Sequence, residues 1–331
     1  MIAYYVHHQG SGHLHRARAI ADRLRTPVIG LSSSARPHGW PGAWVRLPDD
    51  AGGTDDVTAN GTLHWVPRHH NGLRGRMAAV SALLARGEVR LLVSDVSVEI
   101  ALLARLHGVP VVVMAQPGDR TDRPHRLAYD LADRLLAPWP ARPQPDWPAP
   151  WLDKTVHLGA LSRFDGRPSP APAPGRRVLA LWGSGGLDVD CAALHAAAAA
   201  TREWSWTVLG PEAVPDRPNL RWGGWVADPW SALCAADVVV THGGQNAVAE
   251  VAAARRPAVI VPQIRPFGEQ RATAAALSRA RIGVVAARWP DPERWPNVLR
   301  RAQERGGAAW SRWSSGDGAA RAAAELDGLA R

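Results

Sequence analysis

Along most of the chain, short apolar runs alternate with longer stretches whose apolar residues recur at helical spacing. Short apolar runs bounded by Gly, Pro and Asn read as buried strands, and the stretches of about 10–15 residues between them read as amphipathic helices. This alternation builds βαβ units, hence parallel sheets covered on both faces. In the first half it predicts strands at Ile2–His8, Pro27–Leu31, Ala43–Leu47, Leu63–Pro67, Val89–Ser94, Val109–Ala115 and Arg134–Ala137. Helices are predicted at His13–Leu24, Arg74–Ala85, Ser97–Leu106 and Pro124–Ala132, with Asp49–Gly61 a polar surface loop.

Two Pro-rich stretches interrupt the pattern, Pro138–Pro150 and Arg167–Gly175. Alternating prolines can continue neither a helix nor a central strand, so the chain there should be extended. A second series follows. Strands are predicted at Val178–Trp182, Trp206–Leu209, Leu220–Trp222, Val238–Thr241, Ala258–Pro262 and Gly283–Ala286. Helices are predicted at Asp190–Thr201, Pro229–Ala235, Asn246–Arg255, Gln270–Arg279, Pro292–Gln303 and Gly318–Leu329. The expected architecture is α/β, with two doubly wound Rossmann-like domains facing each other across a cleft. The expected limits are 1–165, a linker at 166–176, and 177–331. In such sheets ligands sit beyond the carboxyl ends of the strands.

Composition narrows the classes. With 331 residues, 46% of them hydrophobic, the chain can fill two cores. No apolar run nears the roughly 20 residues that span a bilayer, and Ile2–Val6 begins without a signal-type stretch, so a cytoplasmic protein is expected. The net charge of +9 comes mainly from arginines scattered among Ala, Pro and Gly. With no helix-turn-helix, zinc finger or RNA-binding aromatic motif, nucleic acid is not an expected partner. A peripheral membrane contact stays open. Cys191 and Cys234 lie in separate predicted helices and form neither a disulfide framework nor a metal cluster. The sixteen tryptophans are expected in cores and at the rim of a cleft.

The richest segment begins at Thr241-His-Gly-Gly-Gln-Asn246 and ends at Phe267-Gly-Glu-Gln270. A strand ends at Thr241, Gly243 and Gly244 let the backbone turn tightly, and a helix starts near Asn246. Free amides and the positive end of the helix dipole make such a start an anion site. Glu250 lies one turn on from Asn246, on the same face, where it could accept hydrogen bonds from ribose hydroxyls. Without a ligand to bind, Asn246 would serve only as a helix cap. Gly183-Ser184-Gly185-Gly186, straight after a strand, offers a second amide cradle. Asp188-Val-Asp190 matches a metal-holding Asp-x-Asp triplet but opens a helix, where Asp is an ordinary cap.

This segment resembles the donor box of nucleotide-sugar glycosyltransferases of GT-B type, the His-x-Gly-x-Asn…Glu…(Asp/Glu)-Gln pattern of the UDP-glycosyltransferases. It is also similar to the corresponding region of the peptidoglycan N-acetylglucosaminyltransferase. The matching residues are His242, Gly244, Asn246, Glu250, Glu269 and Gln270. The resemblance implies His242 and Asn246 near a pyrophosphate, Glu250 on the ribose, and Glu269 with Gln270 on the sugar. Ala247 stands where the family often has Ser. The stretch Trp222–Asp237 resembles the segment preceding the box, with Trp225 and the backbone of Val226 beside the base.

The first strand runs into His7-His8-Gln9-Gly10-Ser11-Gly12-His13. A dinucleotide fingerprint would need glycine at His15 and an acidic residue after Leu31, and both are missing. The turn instead resembles the Gly-x-Gly-His loop of the GT-B acceptor domain, although His15 replaces the family's proline. The resemblance makes His13 the candidate base and puts Gly12 at the acceptor. A histidine suits base chemistry because imidazole titrates near working pH, though helix capping or a phosphate contact would also explain it. Asp95 is placed to orient His13, to bind acceptor, or to cap a helix. His7 and His8 leave a strand on opposite faces, so the four clustered histidines are not expected to hold zinc.

The resemblance implies inverting transfer of a sugar from a nucleotide-diphosphate donor, with UDP expected, to an acceptor hydroxyl. No cofactor or metal is expected. The acceptor stays open between a soluble small molecule and a lipid-linked one. A UDP-sugar 2-epimerase of the same fold and a non-catalytic nucleotide-sugar sensor are the alternatives.

Overall fold

The computed structural model describes residues 1–8, 10–53, 55–144, 146–170, 175–183, 185–186 and 188–331. Contacts divide the chain into two units, Met1–Gly159 with Asp317–Arg331, and Ala160–Gly316.

The first unit contains β1 (Ile2–Val6), α1 (Ser11–Ala21), β2 (Val28–Ser32), β3 (Ala43–Arg46), α2 (Asn71–Ala85), β4 (Leu91–Asp95), α3 (Val98–Leu106), β5 (Val111–Met114), α4 (Arg123–Leu131), β6 (Arg134–Ala137), α5 (Ala149–Asp153) and β7 (Thr155–His157). Its seven strands run in the order β3-β2-β1-β4-β5-β6-β7, with every pairing parallel. Five residues of β1 and five of β4 are all buried, as expected for strands covered on both faces. The chain order reverses between β1 and β4, and Val6 pairs with Asp95 there. The loops leaving these two strands therefore part to opposite faces and leave a crevice between them.

The second unit contains β8 (Arg177–Leu181), α6 (Cys191–Ala200), β9 (Ser205–Leu209), β10 (Leu220–Gly224), α7 (Trp230–Ala235), β11 (Val238–Thr241), α8 (Gln245–Ala254), β12 (Ala258–Ile260), α9 (Glu269–Arg279), β13 (Val284–Val285) and α10 (Trp295–Arg305). Its six parallel strands run β10-β9-β8-β11-β12-β13, with the reversal between β8 and β11. Val178, Val238, Val240, Trp206 and Trp295 meet in one core. Asp190 caps α6, its carboxylate accepting the Ala193 amide at 2.7 Å.

Three expectations change. Leu63–Pro67 is not a strand. The amides of His64 and Trp65 donate to one carboxylate oxygen of Glu99, at 2.8 and 3.0 Å, so they are satisfied without a sheet. The last helix, α11 (Gly318–Leu329), belongs to the first unit rather than the second. Asp327 fixes it there by accepting the backbone amides of Arg25 and Thr26 at 3.1 and 2.9 Å. The described part of the Pro-rich stretch packs into the second unit, where Ser169 donates to the Ala254 carbonyl at 2.7 Å. Both cysteines are free thiols, Cys234 buried and Cys191 half-buried.

Candidate functional site

In the first unit, β1 delivers His7 and His8 to the crevice, and Gly10, with φ of 82°, turns the chain into α1. That φ suits glycine. Gly10 is also the N-cap of α1 and has no side chain to cap it. One turn in, His13 Nδ1 lies 2.9 Å from Oδ1 of Asp95, the last residue of β4. Arg16 grips the same carboxylate, with Nη2 2.5 Å from Oδ1 and Nε 3.2 Å from Oδ2, and its Nη2 is 3.1 Å from His13 Nδ1.

Asp95 is fully buried. Burial pushes its pKa up, but the charges and hydrogen bonds of Arg16 and His13 outweigh this and hold it at about 2. An ionised Asp95 accepts only, so it favours the His13 tautomer that donates from Nδ1. Nε2 is then left as a proton acceptor. His7, whose ring centroid is 5.5 Å from that of His13, is lowered to about 4 by burial and by the neighbouring histidines. After Asp95 comes Val96 with φ of 67°, a backbone that β-branched residues rarely take.

A pocket of about 290 Å³ opens beside these groups. His7 and His8 line it together with Trp65, Arg76, Met77 and Glu99. His64, Asp122 and His125 bring ligand atoms within 4.8 Å of one another. There Asp122 accepts from His125 Nδ1 at 2.5 Å, and the Arg120 guanidinium lies 3.1 Å from His125 Nε2, so a cation already faces the cluster.

In the second unit the loops after β8 and β11 flank the other reversal. His242 Nδ1 accepts the Gly244 amide at 2.9 Å, leaving Nε2 as a donor toward the glycine loop. A Cβ on Gly183 would stand 3.9 Å from that nitrogen. Burial, then the charge of Arg265, lowers the His242 pKa to about 4, so the ring is neutral. Gln270 is buried, and its Oε1 accepts the amides of Gly243 and Gln263 at 3.1 and 2.9 Å. It braces the loop from below, and the Gly243 amide is spent on it. A Cβ on Gly243 would lie 2.6 Å from the Gln270 carbonyl oxygen, so only glycine fits. The N-cap position of α8 is Gly244, which has no side chain to offer the helix's first amides.

Gly185 and Gly186 are held by side chains from the loop after β12. Arg265 donates to the Gly185 carbonyl at 2.8 Å, and Gln263 donates to that of Gly186 at 3.1 Å. Ser184 lies outside the described residues. Glu250 is buried in large part and pairs with Arg163, Nε to Oε1 at 2.9 Å. Burial raises the Glu250 pKa, and Arg163 opposes the rise. Trp225 and Val226 are 54% and 38% exposed, in the loop after β10. Arg163 reaches that loop too, donating to the Ala227 carbonyl at 2.6 Å. Asn246 sits half-buried in the first turn of α8, and Glu269 half-buried at the start of α9.

The second unit thus gathers the glycine loop, His242, Gly243, Gly244 and Gln270, and ties Glu250 to the loop of Trp225. It adds Arg163, Gln263 and Arg265, which sequence reasoning missed, and the first unit adds Arg16. For Arg265 a signal existed, since it follows the carboxyl end of a predicted strand. Arg163 gave none, because its partner lies far along the chain.

The arrangement is that of two Rossmann-like sheets, each with a ligand-ready switch point. Residues 228–303 match the Glycosyltransferase family 28 C-terminal domain. A curated relative in Sorangium cellulosum (strain So ce56) is 28% identical over an alignment 362 positions long, covering 96% of this chain and 83% of its own length. That relative is the UDP-N-acetylglucosamine–N-acetylmuramyl-(pentapeptide) pyrophosphoryl-undecaprenol N-acetylglucosamine transferase. Among solved structures, the kitacinnamycin glycosyltransferase superposes with a TM-score of 0.71 at 17% identity, covering 100% of this chain and 99% of its own. UGT2 of Phytolacca americana, complexed with UDP-2-fluoroglucose and pterostilbene, gives 0.69 at 15%, covering 99% of this chain and 98% of its own. The chain is a nucleotide-sugar glycosyltransferase of GT-B fold. Its superfamily is the one that holds the UDP-glycosyltransferases and the peptidoglycan N-acetylglucosaminyltransferase.

Proposed function

We propose that this protein moves a sugar from a UDP-sugar to an acceptor hydroxyl in a single displacement with inversion, and that it needs no metal to do so. The observation that carries the reading is the His13–Asp95 pair, 2.9 Å apart, which leaves His13 Nε2 to take the hydroxyl proton. A protein that only binds nucleotide-sugars has no use for such a pair.

In the second unit the start of α8, with Gly244 before it and Asn246 in its first turn, receives the diphosphate. The Nε2–H of His242 and the Arg265 guanidinium meet the charge that grows on the leaving group. Glu250 takes the ribose hydroxyls with the carboxylate oxygen that Arg163 leaves open. Trp225 and the Val226 backbone face the base, and Glu269 faces the sugar. Gln270 acts through the loop it braces. The UDP-sugar in the UGT2 complex and the donor named for the Sorangium relative support UDP as the carrier.

The test is incubation with UDP-sugars in the presence of a chelator, with and without acceptors. UDP release that persists in excess EDTA and falls at least 100-fold in His13→Ala supports the reading. Isomerised donor without UDP release would identify an epimerase. Tight UDP binding with no turnover of any donor would identify a sensor.

A further inference from the structure

The pocket beside His7 carries information about the acceptor. Its charged lining residues, histidines aside, are Arg76, Asp50 and Glu99. Arg76 is 1% exposed and fully engaged: Nη1 donates to the Tyr5 hydroxyl at 2.8 Å, Nη2 pairs with Asp50 at 2.8 Å and reaches Ser33, and Nε donates to the Pro48 carbonyl at 3.3 Å. Its cation is therefore cancelled within the wall. Glu99 is occupied by the amides of His64 and Trp65 and by the Ser97 hydroxyl at 2.8 Å. Among the described residues the lining thus has one carboxylate more than it has cations, histidines aside.

What the wall offers a ligand is apolar surface and the imidazole rings of His7 and His8. Trp65, Met77 and Val96 supply the surface. Trp65 is fixed by its indole N–H, which donates to the Asp50 carbonyl at 2.7 Å, so the slot is rigid. Nδ1 of His7 and Nδ1 of His8 are buried with no hydrogen-bond partner among the described residues. The volume of about 290 Å³ lies at the lower edge of small-molecule sites.

Resting on the transferase reading, we propose that the acceptor is a compact, uncharged molecule, an aromatic or other apolar ring system bearing the nucleophilic hydroxyl. Its ring lies between Trp65 and Met77, and a polar substituent meets His7 or His8. A pyrophosphate-linked lipid, the acceptor type named for the Sorangium relative, finds no uncommitted Arg or Lys among the described residues of this wall.

The experiment gives the full chain UDP-glucose or UDP-N-acetylglucosamine with two kinds of acceptor. One is a neutral ring alcohol, 2-naphthol or 4-methylumbelliferone. The other is a short-chain prenyl-pyrophosphate muramyl-peptide. The expected result is glycoside formation on the ring alcohols at least ten times faster than on the pyrophosphate acceptor. Trp65→Ala should raise the ring-alcohol KM at least ten-fold, while UDP affinity by calorimetry stays within two-fold. Met77→Ala, a milder change, should raise the same KM about three-fold, and it carries the test if Trp65→Ala does not fold. Preference for the pyrophosphate acceptor, or UDP binding with no product on any ring alcohol, overturns the proposal. Failure to bind or release UDP at all removes the transferase reading itself, and this proposal with it.

Discussion

Arg163 holds Glu250. Its Nε donates to Oε1 at 2.9 Å, its Nη1 donates to the Ala227 carbonyl at 2.6 Å, and its guanidinium stacks 4.6 Å from the centre of the Phe164 ring. One side chain therefore joins α8 to the loop after β10. In the proposed site these carry the ribose and the base.

Replacing Arg163 with Ala strands a largely buried carboxylate. The Glu250 pKa, raised already by burial, should rise further, and a protonated Glu250 accepts more weakly from ribose hydroxyls. UDP affinity should fall about ten-fold, which is about 1.4 kcal/mol. The loss should lessen as pH rises, because high pH restores the carboxylate. Calorimetric titration between pH 6 and 8 reads both effects, and an unchanged, pH-independent affinity contradicts this role.

The His13–Asp95 pair should be catalytic in effect but not in donor binding. Losing a positioned base costs about 10²–10⁴ in rate. His13→Ala should lower kcat by that factor while UDP affinity holds. Asp95→Asn keeps the shape but removes the charge that sets the His13 tautomer, and should lower kcat by at least ten-fold. A wild-type kcat in His13→Ala would remove the base from the mechanism.

Acid should unfold the protein in two stages. His7, His125 and His242 all sit at about 4 when folded, against an ordinary value of 6.5, with burial the main cause. Between those values the unfolded chain binds more protons, so stability falls as pH drops from 6.5 toward 4. Asp95 is depressed from 3.8 to about 2, so its contribution, on the order of 2 kcal/mol, is present above pH 3.8 and is lost as pH falls toward 2. Thermal melts from pH 7 to 2.5 should show both stages in wild type, and the lower one should be smaller in Asp95→Asn, since Asp122, Asp228 and Asp327 are lowered too. A flat Tm between pH 6.5 and 4 contradicts the histidine assignment.

Gln270 should matter more to the fold than its place in the donor box suggests. Its Oε1 serves two amides at once, those of Gly243 and Gln263. Gln270→Ala leaves both without their acceptor, at about 1–3 kcal/mol for each buried group. Urea unfolding should show a loss of about 2–4 kcal/mol, with Gln270→Glu losing less because it keeps an acceptor. A loss under about 0.5 kcal/mol contradicts the brace.

Much of this was legible because parallel strands are apolar on both faces. Runs such as Val238-Val-Val-Thr241 and Leu91-Leu-Val-Ser94 stand out against any background. The glycine turns after them were equally plain. What misled was Leu63–Pro67, whose alternation suits a strand but whose amides are taken by the Glu99 side chain, a partner outside any local window. Arg163 was invisible for a related reason, and Arg265 showed only its place after a predicted strand. Among so many scattered arginines, only the fold shows which two meet Glu250 and the glycine loop.

The last helix has a consequence for the newborn protein. Asp327 ties down Arg25 and Thr26, and Arg134 bonds Glu325 at 3.2 Å, so the first unit is closed by residues translated after the second. As the chain leaves the ribosome, the face of α1 that α11 covers stays bare until Ala160–Gly316 and then α11 have been made. A nascent chain stalled before residue 317 should therefore carry a protease-sensitive first half and draw chaperones, although most of its sheet is already synthesised.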